Sequence, residues 1–376
     1  MTAFKLDRRM LLASAAAAGA LAAAPAHAKK FRRPVINALG GFYDPNAGQP
    51  SKEEIAAHKL DDRAINDALK AQVAATNLTL GYVFGDGDPF VNTIDDIAWW
   101  SEAIRLRADA LIHVRGVADI REAERRGKIG AIFGFQNSDM FGGDALRARL
   151  FADLGVRVVQ LTYNLRNAAG DGSLVEENKG LTIFGHELVA ALNEQNLLVD
   201  LSHAGEQTTM DAIAASSAPI AITHTGCAAL ARHPRNKTDA ELKALADKGG
   251  VAGIYFMPYL TPGRQQMAAD IADHIEHAVN VMGEDHVGVG TDGGVSAIDN
   301  MPAYMEEHRK DIENRKKLGV GAPNEDPNVI TLVPDMMGPA QFEKLAMLLS
   351  ARGHSSSRID KILSGNFMRL FGEVWN

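Results

Sequence analysis

The chain has 376 residues, a formal net charge of −8 and a single cysteine. That length suits one large domain or two small ones, and an acidic balance without basic runs argues against a nucleic-acid partner. One cysteine excludes an intramolecular disulfide framework.

The amino-terminal stretch reads as a targeting segment, not as part of the fold. Arg8 and Arg9 precede an alanine-rich apolar run that reaches Ala24, and Ala26-His27-Ala28 offers a small-x-small cleavage site. The run is too short and too rich in alanine to be a good membrane span. Paired arginines ahead of only moderately apolar residues point to a twin-arginine signal over residues 1–28. The expected partner is then the twin-arginine export machinery, and the expected destination is periplasmic or exported. An uncleaved anchor is the rival reading. Residues 1–28 hold three basic side chains and one acidic one, so their removal makes the net charge more negative by two.

Beyond this segment, short apolar runs rich in β-branched residues recur at 34–40, 75–82, 127–135, 156–163, 197–203, 219–224, 250–256 and 286–292. ALIHV at 110–114 is a candidate ninth. Near-continuous apolar character predicts strands buried on both faces, as in a parallel sheet. Segments between them, such as DALRARLFADLG and TDAELKALADKGG, have helical spacing and stop at glycine. The pattern predicts a TIM-type (β/α)8 barrel of the metal-dependent hydrolase type over residues 29–376, with a doubly wound open sheet as the alternative. Residues 296–337 are polar, punctuated by proline, and read as an insertion or lid. Gly288, Gly290 and Gly293 fit a G-x-G-x-x-G pattern, but on the last strand and without a helix opening on it. No dinucleotide site is predicted there.

Function in such a barrel sits at the carboxyl ends of the strands. The polar residues at those ends are Gln136, Tyr163 with Asn164, His203, His224 and Asp292. Any one of them alone reads as a hydrogen-bonded structural residue. Two imidazoles on consecutive strand ends, with an acid on the last strand, are instead the ingredients of a metal-activated water. Cys227 reads as a small buried residue beside His224, not as a nucleophile.

All of these residues but Gln136 lie within or beside LGVRVVQLTYN, GLTIFGHELVAALNEQNLLVDLSH, SSAPIAITHTG, HPRNKTDAELKALADKGGVAGI, DHIEHAVNVMGEDHVGVGTDGG and LSGNFMRLFGEVW. From about residue 34 onward the chain resembles the renal (membrane) dipeptidase family of metallopeptidases, peptidase family M19, among the amidohydrolase-type barrels. The resemblance implies a two-metal site built from a His-x-Asp pair on the first strand, a bridging glutamate and two later histidines. It assigns metal binding to His203 and His224, the grip on a substrate carboxylate to Arg235, and the last-strand acid to Asp292. It also implies a homodimer.

The pattern breaks in the first half of the site. Leu39 and Gly41 stand where the His-x-Asp pair belongs, Gln136 replaces the bridging glutamate, and Tyr163 replaces a histidine. Two divalent ions ~3.5–4 Å apart repel by roughly 20 kcal/mol at an effective dielectric of ~20, and the carboxylates that offset this are missing. The expectation is one ion, zinc or another divalent metal, held by His203 and His224 with Gln136 or Asp292 as a third ligand. Asp44, just past the first strand, is a candidate displaced ligand, and Tyr163 is placed against the substrate.

Three readings follow. The first is an exported hydrolase that cuts a dipeptide, an acyl-amino acid or a similar amide beside a free carboxylate, with Asp292 as general base. The second is a non-catalytic binding or maturation protein on the same barrel. The third is a lactonase or deacylase.

Overall fold

The computed structural model describes residues 33–48 and 50–375. The segment read as an export signal lies outside them. Among the described residues nine strands form one parallel sheet: β1 (Val35–Asn37), β2 (Val73–Thr79), β3 (Leu111–Val114), β4 (Ile129–Phe135), β5 (Val156–Gln160), β6 (Leu198–Asp200), β7 (Ala221–Thr225), β8 (Val251–Ile254) and β9 (Val287–Val289). Eight of them run in the order β1-β2-β4-β5-β6-β7-β8-β9. The sheet closes on itself: Ala38 N donates to Val289 O at 3.0 Å, Asp292 N donates to Leu39 O at 3.0 Å, and Gly40 bridges Gly293. This closure makes a (β/α)8 barrel and rules out the open-sheet alternative.

The ninth strand, β3, pairs with the first half of β4 along Ile129–Ile132, and β5 takes over the same edge from Phe133 onward. Every residue of β1, β4, β6, β7, β8 and β9 is buried, as strands covered on both faces must be. The helices between them begin where side chains can take up free backbone N–H groups. Thr238 and Glu241 form a reciprocal capping box on Asp239–Asp247, and Asp61 caps Asp62–Lys70. Val117–Arg126 stops at Gly127, whose φ of 65° suits a residue without a side chain.

One end of the barrel is filled. The last helix, Asn366–Val374, packs Phe367, Leu370, Phe371 and Val374 against Leu198, Ala221 and Val251, the first residues of β6, β7 and β8. Asn366 and Arg369 also donate to backbone carbonyls just before β9 and β8. The carboxyl ends of the strands form the opposite, open end.

The glycines of the G-x-G-x-x-G stretch have a packing role. A Cβ on Gly288 would stand 2.4 Å from the Phe367 ring, and one on Gly290 would stand 2.0 Å from the carbonyl oxygen of Thr223. Only a bare backbone fits between those neighbours.

Residues 296–337 contain the helix Met301–Lys317 and a long return segment. Ile298, Tyr304 and Ile330 form a small apolar cluster of their own, and Gln265 and Gln266 donate to the carbonyls of Ile330 and Leu332. The segment is therefore fastened over the barrel.

Candidate active site

His203 follows β6 and His224 lies within β7, and both rings are buried. Their Nε2 atoms face each other at 3.0 Å. The opposite nitrogens reveal which tautomers are present. Asn164 gives its amide nitrogen to Val320 O at 2.8 Å, so the oxygen turned to His203 Nδ1 at 2.6 Å must accept a proton from the ring. Thr223 Oγ1 gives its proton to the buried Asp200 at 2.6 Å and has only a lone pair for His224 Nδ1 at 2.9 Å. Ser202 donates to the same carboxylate at 2.5 Å, completing the network under the strand ends. Both imidazoles thus carry their proton on Nδ1, and two bare lone pairs point at one another.

Burial, reinforced by the nearby Arg235 guanidinium, pushes both rings well below the usual imidazole pKa, so neither supplies a second proton. Each bare acceptor left buried costs about 1–3 kcal/mol. One cation between them relieves both. Two imidazole nitrogens ~2.0–2.1 Å from a shared zinc-type ion stand about 3–3.4 Å apart, and the observed spacing fits that. The spacing of the pair therefore suits a shared ion. Among the described residues no group of three or more His, Cys, Asp and Glu side chains converges to hold one. Any third protein ligand there must come from another residue type or by movement of Asp292.

Asp292 follows β9 with a φ of 57°, a left-handed conformation uncommon for a residue with a side chain. Its backbone N–H closes the barrel on Leu39 O, which holds the carboxylate at the rim of the mouth. Burial drives its carboxyl up to about 6, against the pull of Arg235 and Arg315. Arg235 lies in the loop after β7 and is 2% exposed. One guanidinium nitrogen, Nη1, donates to Ser202 O, and the ring of Tyr255 lies 6.0 Å from the guanidinium carbon. The other nitrogen, Nη2, is buried without a hydrogen-bond partner. An unpaired guanidinium nitrogen is a ready site for an anion such as a carboxylate.

The remaining sequence candidates divide. Gln136 gives its amide nitrogen to Thr79 Oγ1 at 2.6 Å, which leaves its oxygen uncommitted. Tyr163 stacks on the His203 ring with centroids 4.2 Å apart, and its hydroxyl lies 3.5 Å from Arg315 Nη1. Asp44 is committed elsewhere. It accepts from Asn46 at 2.6 Å within its own turn and faces Arg63 at 3.7 Å, so it does not fold back towards the histidines. Leu39 is buried, and Gly41 has nothing within 4 Å of where a Cβ would stand. Cys227 is buried against His274, and burial pushes its thiol up to about 12, which rules out a nucleophile at neutral pH.

Sequence reasoning missed Arg315, Glu325 and Tyr259. Glu325 Oε1 accepts from Arg315 at 2.9 Å and from the Tyr259 hydroxyl at 2.7 Å, which brings a second guanidinium to the site. The segment carrying Arg315 and Glu325 is latched to the site's own residues. Asn164, which orients His203, holds Val320, and His233, two residues before Arg235, donates to Pro323 O at 3.0 Å. A charged helix without apolar periodicity gave no sign of this in the sequence.

A cavity of about 390 Å3 opens beside Asp292 at the ends of β1, β2, β8 and β9, roofed by residues 331–337. Its wall includes Leu39, Gly41 and Phe256.

Comparison with known proteins agrees with this architecture. Residues 54–312 match the membrane dipeptidase family, peptidase family M19. Dipeptidase tcpJ from Claviceps purpurea is 29% identical over 287 residues, which cover 75% of this chain and 60% of that protein. The chain thus spans less than two thirds of that relative's length. An amidohydrolase from Pseudomonas aeruginosa superposes with a TM-score of 0.76 at 30% identity, covering 91% of this chain and 97% of its own. A metallo peptidase from Rhodobacter sphaeroides, solved with a phosphinate mimic of the dipeptide L-Ala-D-Ala, has a TM-score of 0.68 at 19% identity over 92% of this chain and all of its own, which speaks to the fold alone. With a closed parallel barrel, a histidine pair at its mouth and a family match over more than half its length, this chain belongs to the membrane dipeptidase family, peptidase family M19.

Proposed function

We propose that the chain hydrolyses an amide beside a free carboxylate with the help of one divalent ion, zinc or a metal of similar chemistry, held by His203 and His224. The observation that carries this reading is the pair of bare Nε2 atoms 3.0 Å apart. Gln136 is the third ligand through its uncommitted oxygen, which leaves Asp292 free. A divalent ion bound there supplies a Lewis acid that makes water a competent nucleophile near neutral pH.

The chain's own residues do the rest. Asp292 accepts the proton of the attacking water and passes it to the departing nitrogen. Arg235 Nη2, buried and unpaired, takes the substrate carboxylate and fixes the scissile bond relative to the strand ends. Tyr163 and the latched 296–337 segment cover His203 and exclude bulk water from it.

A non-catalytic binding protein is the second reading. It is favoured by the lack, among the described residues, of a third His, Cys, Asp or Glu beside the histidine pair. Assay of protein purified without chelator on dipeptides, N-acyl-amino acids and lactones separates the readings. Amide hydrolysis that stops on chelation and returns with zinc is the expected result. Ligand binding without turnover across the whole panel would leave the binder, and turnover of lactones alone would leave a lactonase.

Export by the twin-arginine route is part of the same proposal and rests on Arg8, Arg9 and the apolar run behind them. Replacing both arginines by lysine is expected to leave a full-length precursor in the cytoplasm. Unchanged export of that variant would remove the twin-arginine assignment.

A further inference from the structure

We propose that the cavity beside Asp292 is an acyl-chain subsite, and that the amide cut is that of an N-acyl amino acid with a medium-length apolar acyl group. The inference rests on the amide-hydrolase reading above and names its substrate class. The wall is built by Leu39, Phe42, Leu78, Phe256, Val333 and Met337, and Asp292 is its one ionisable carboxylate. At about 390 Å3 the space lies within the ~300–1,000 Å3 range of small-molecule sites. Thr79, Ser296, Thr331 and Gln341 also line it, and a wall mostly of apolar side chains with a few polar groups is one that takes an apolar ligand group.

Two further observations choose an acylated nitrogen over the free ammonium of a dipeptide. An ammonium placed here would find no counter-ion except Asp292, which the reaction needs as a base, because Asp44 is spent on Asn46 and Arg63. Arg235 and Arg315, whose charges both reach Asp292, would repel it as well. Position agrees. In the ring β1-β2-β4-β5-β6-β7-β8-β9, β1 stands opposite β6, whose end holds Ser202, the carbonyl partner of Arg235. A substrate gripped by its carboxylate at Arg235 and lying across the mouth delivers its acyl side to the β1 cavity. In the reaction, the water oxygen bonds to the acyl carbon, the carbon–nitrogen bond breaks, and the nitrogen leaves with a proton. The products are a carboxylic acid and a free amino acid, with no other reactant.

The test uses the metal-loaded enzyme and N-acetyl-, N-butanoyl-, N-hexanoyl- and N-octanoylglycine, with glycylglycine as the charged counterpart. Both hydrolysis and binding by titration calorimetry are measured. The expected kcat/KM rises about fourfold per buried methylene until the cavity is full. Glycylglycine, close in size to N-acetylglycine, is expected to be cut at least tenfold less efficiently than it. Gly41→Leu projects a side chain into open space, and it is expected to collapse the ratio of octanoyl to acetyl substrate. Met337→Ala enlarges the cavity and is expected to move the plateau to longer chains. A flat chain-length profile with glycylglycine preferred would overturn the subsite and leave the amide hydrolase standing. Affinity that climbs with chain length without turnover would sustain the subsite and sink the hydrolase. Neither turnover nor a chain-length effect on binding would overturn both.

Discussion

Asp292→Asn is expected to lower kcat by at least ~10²-fold, the effect of losing a general base, with little change in KM. The substitution is nearly isosteric and keeps an oxygen in the same place. Asparagine also tolerates the left-handed backbone that Asp292 adopts at φ 57°, so the barrel closure through its N–H to Leu39 O survives. Asp292→Ala would add backbone strain to the loss of the base and confuse the two effects. What disappears in Asp292→Asn is the capacity to accept a proton. Circular dichroism and metal content unchanged from the wild type, with turnover lost, would match this expectation. Wild-type turnover in the same variant would show that another group takes the proton.

Arg235→Lys is expected to act on affinity instead, raising KM by about ten- to a hundredfold, as the loss of one charge-assisted hydrogen bond of ~1.5–3 kcal/mol implies. The guanidinium divides its work: Nη1 is spent on Ser202 O and Nη2 faces the site without a partner. A lysine ammonium is a point charge on a flexible stem, and satisfying Ser202 O draws it away from the substrate. The variant keeps the buried charge, so the depressed imidazole pKa values that Arg235 helps to set are largely retained. A fall in kcat with KM unchanged would place Arg235 at the reacting atoms and not at the carboxylate.

The parts of this protein that could be read from its sequence are those written in local pattern. Runs such as GKIGAIFGF and PIAITH are apolar throughout because the strands they form are buried on both faces, so a parallel barrel was legible. His203, His224 and Asp292 were legible because polar residues ending such runs must lie at one mouth. β3 was only a candidate, since a strand that shares half of one edge of β4 carries a short and half-buried pattern.

What stayed hidden depends on distant contacts. Nothing in Asn164 or Thr223 shows that they fix imidazole tautomers, since that follows from Val320 and Asp200 taking up their other hydrogen bonds. Arg315 belongs to a helix with a single buried side chain, Tyr304, and no apolar stripe announces where it packs. Leu39 and Gly41 could be read as a loss of ligands. Only the folded arrangement shows that they wall a cavity.

The most direct test of the single-ion site is elemental analysis of protein purified without chelator. About one divalent ion per chain is expected, falling below a tenth of that in His203→Ala and in His224→Ala while both variants remain folded. Two tightly held ions per chain, or one ion retained in both alanine variants, would contradict a single site built on these two imidazoles.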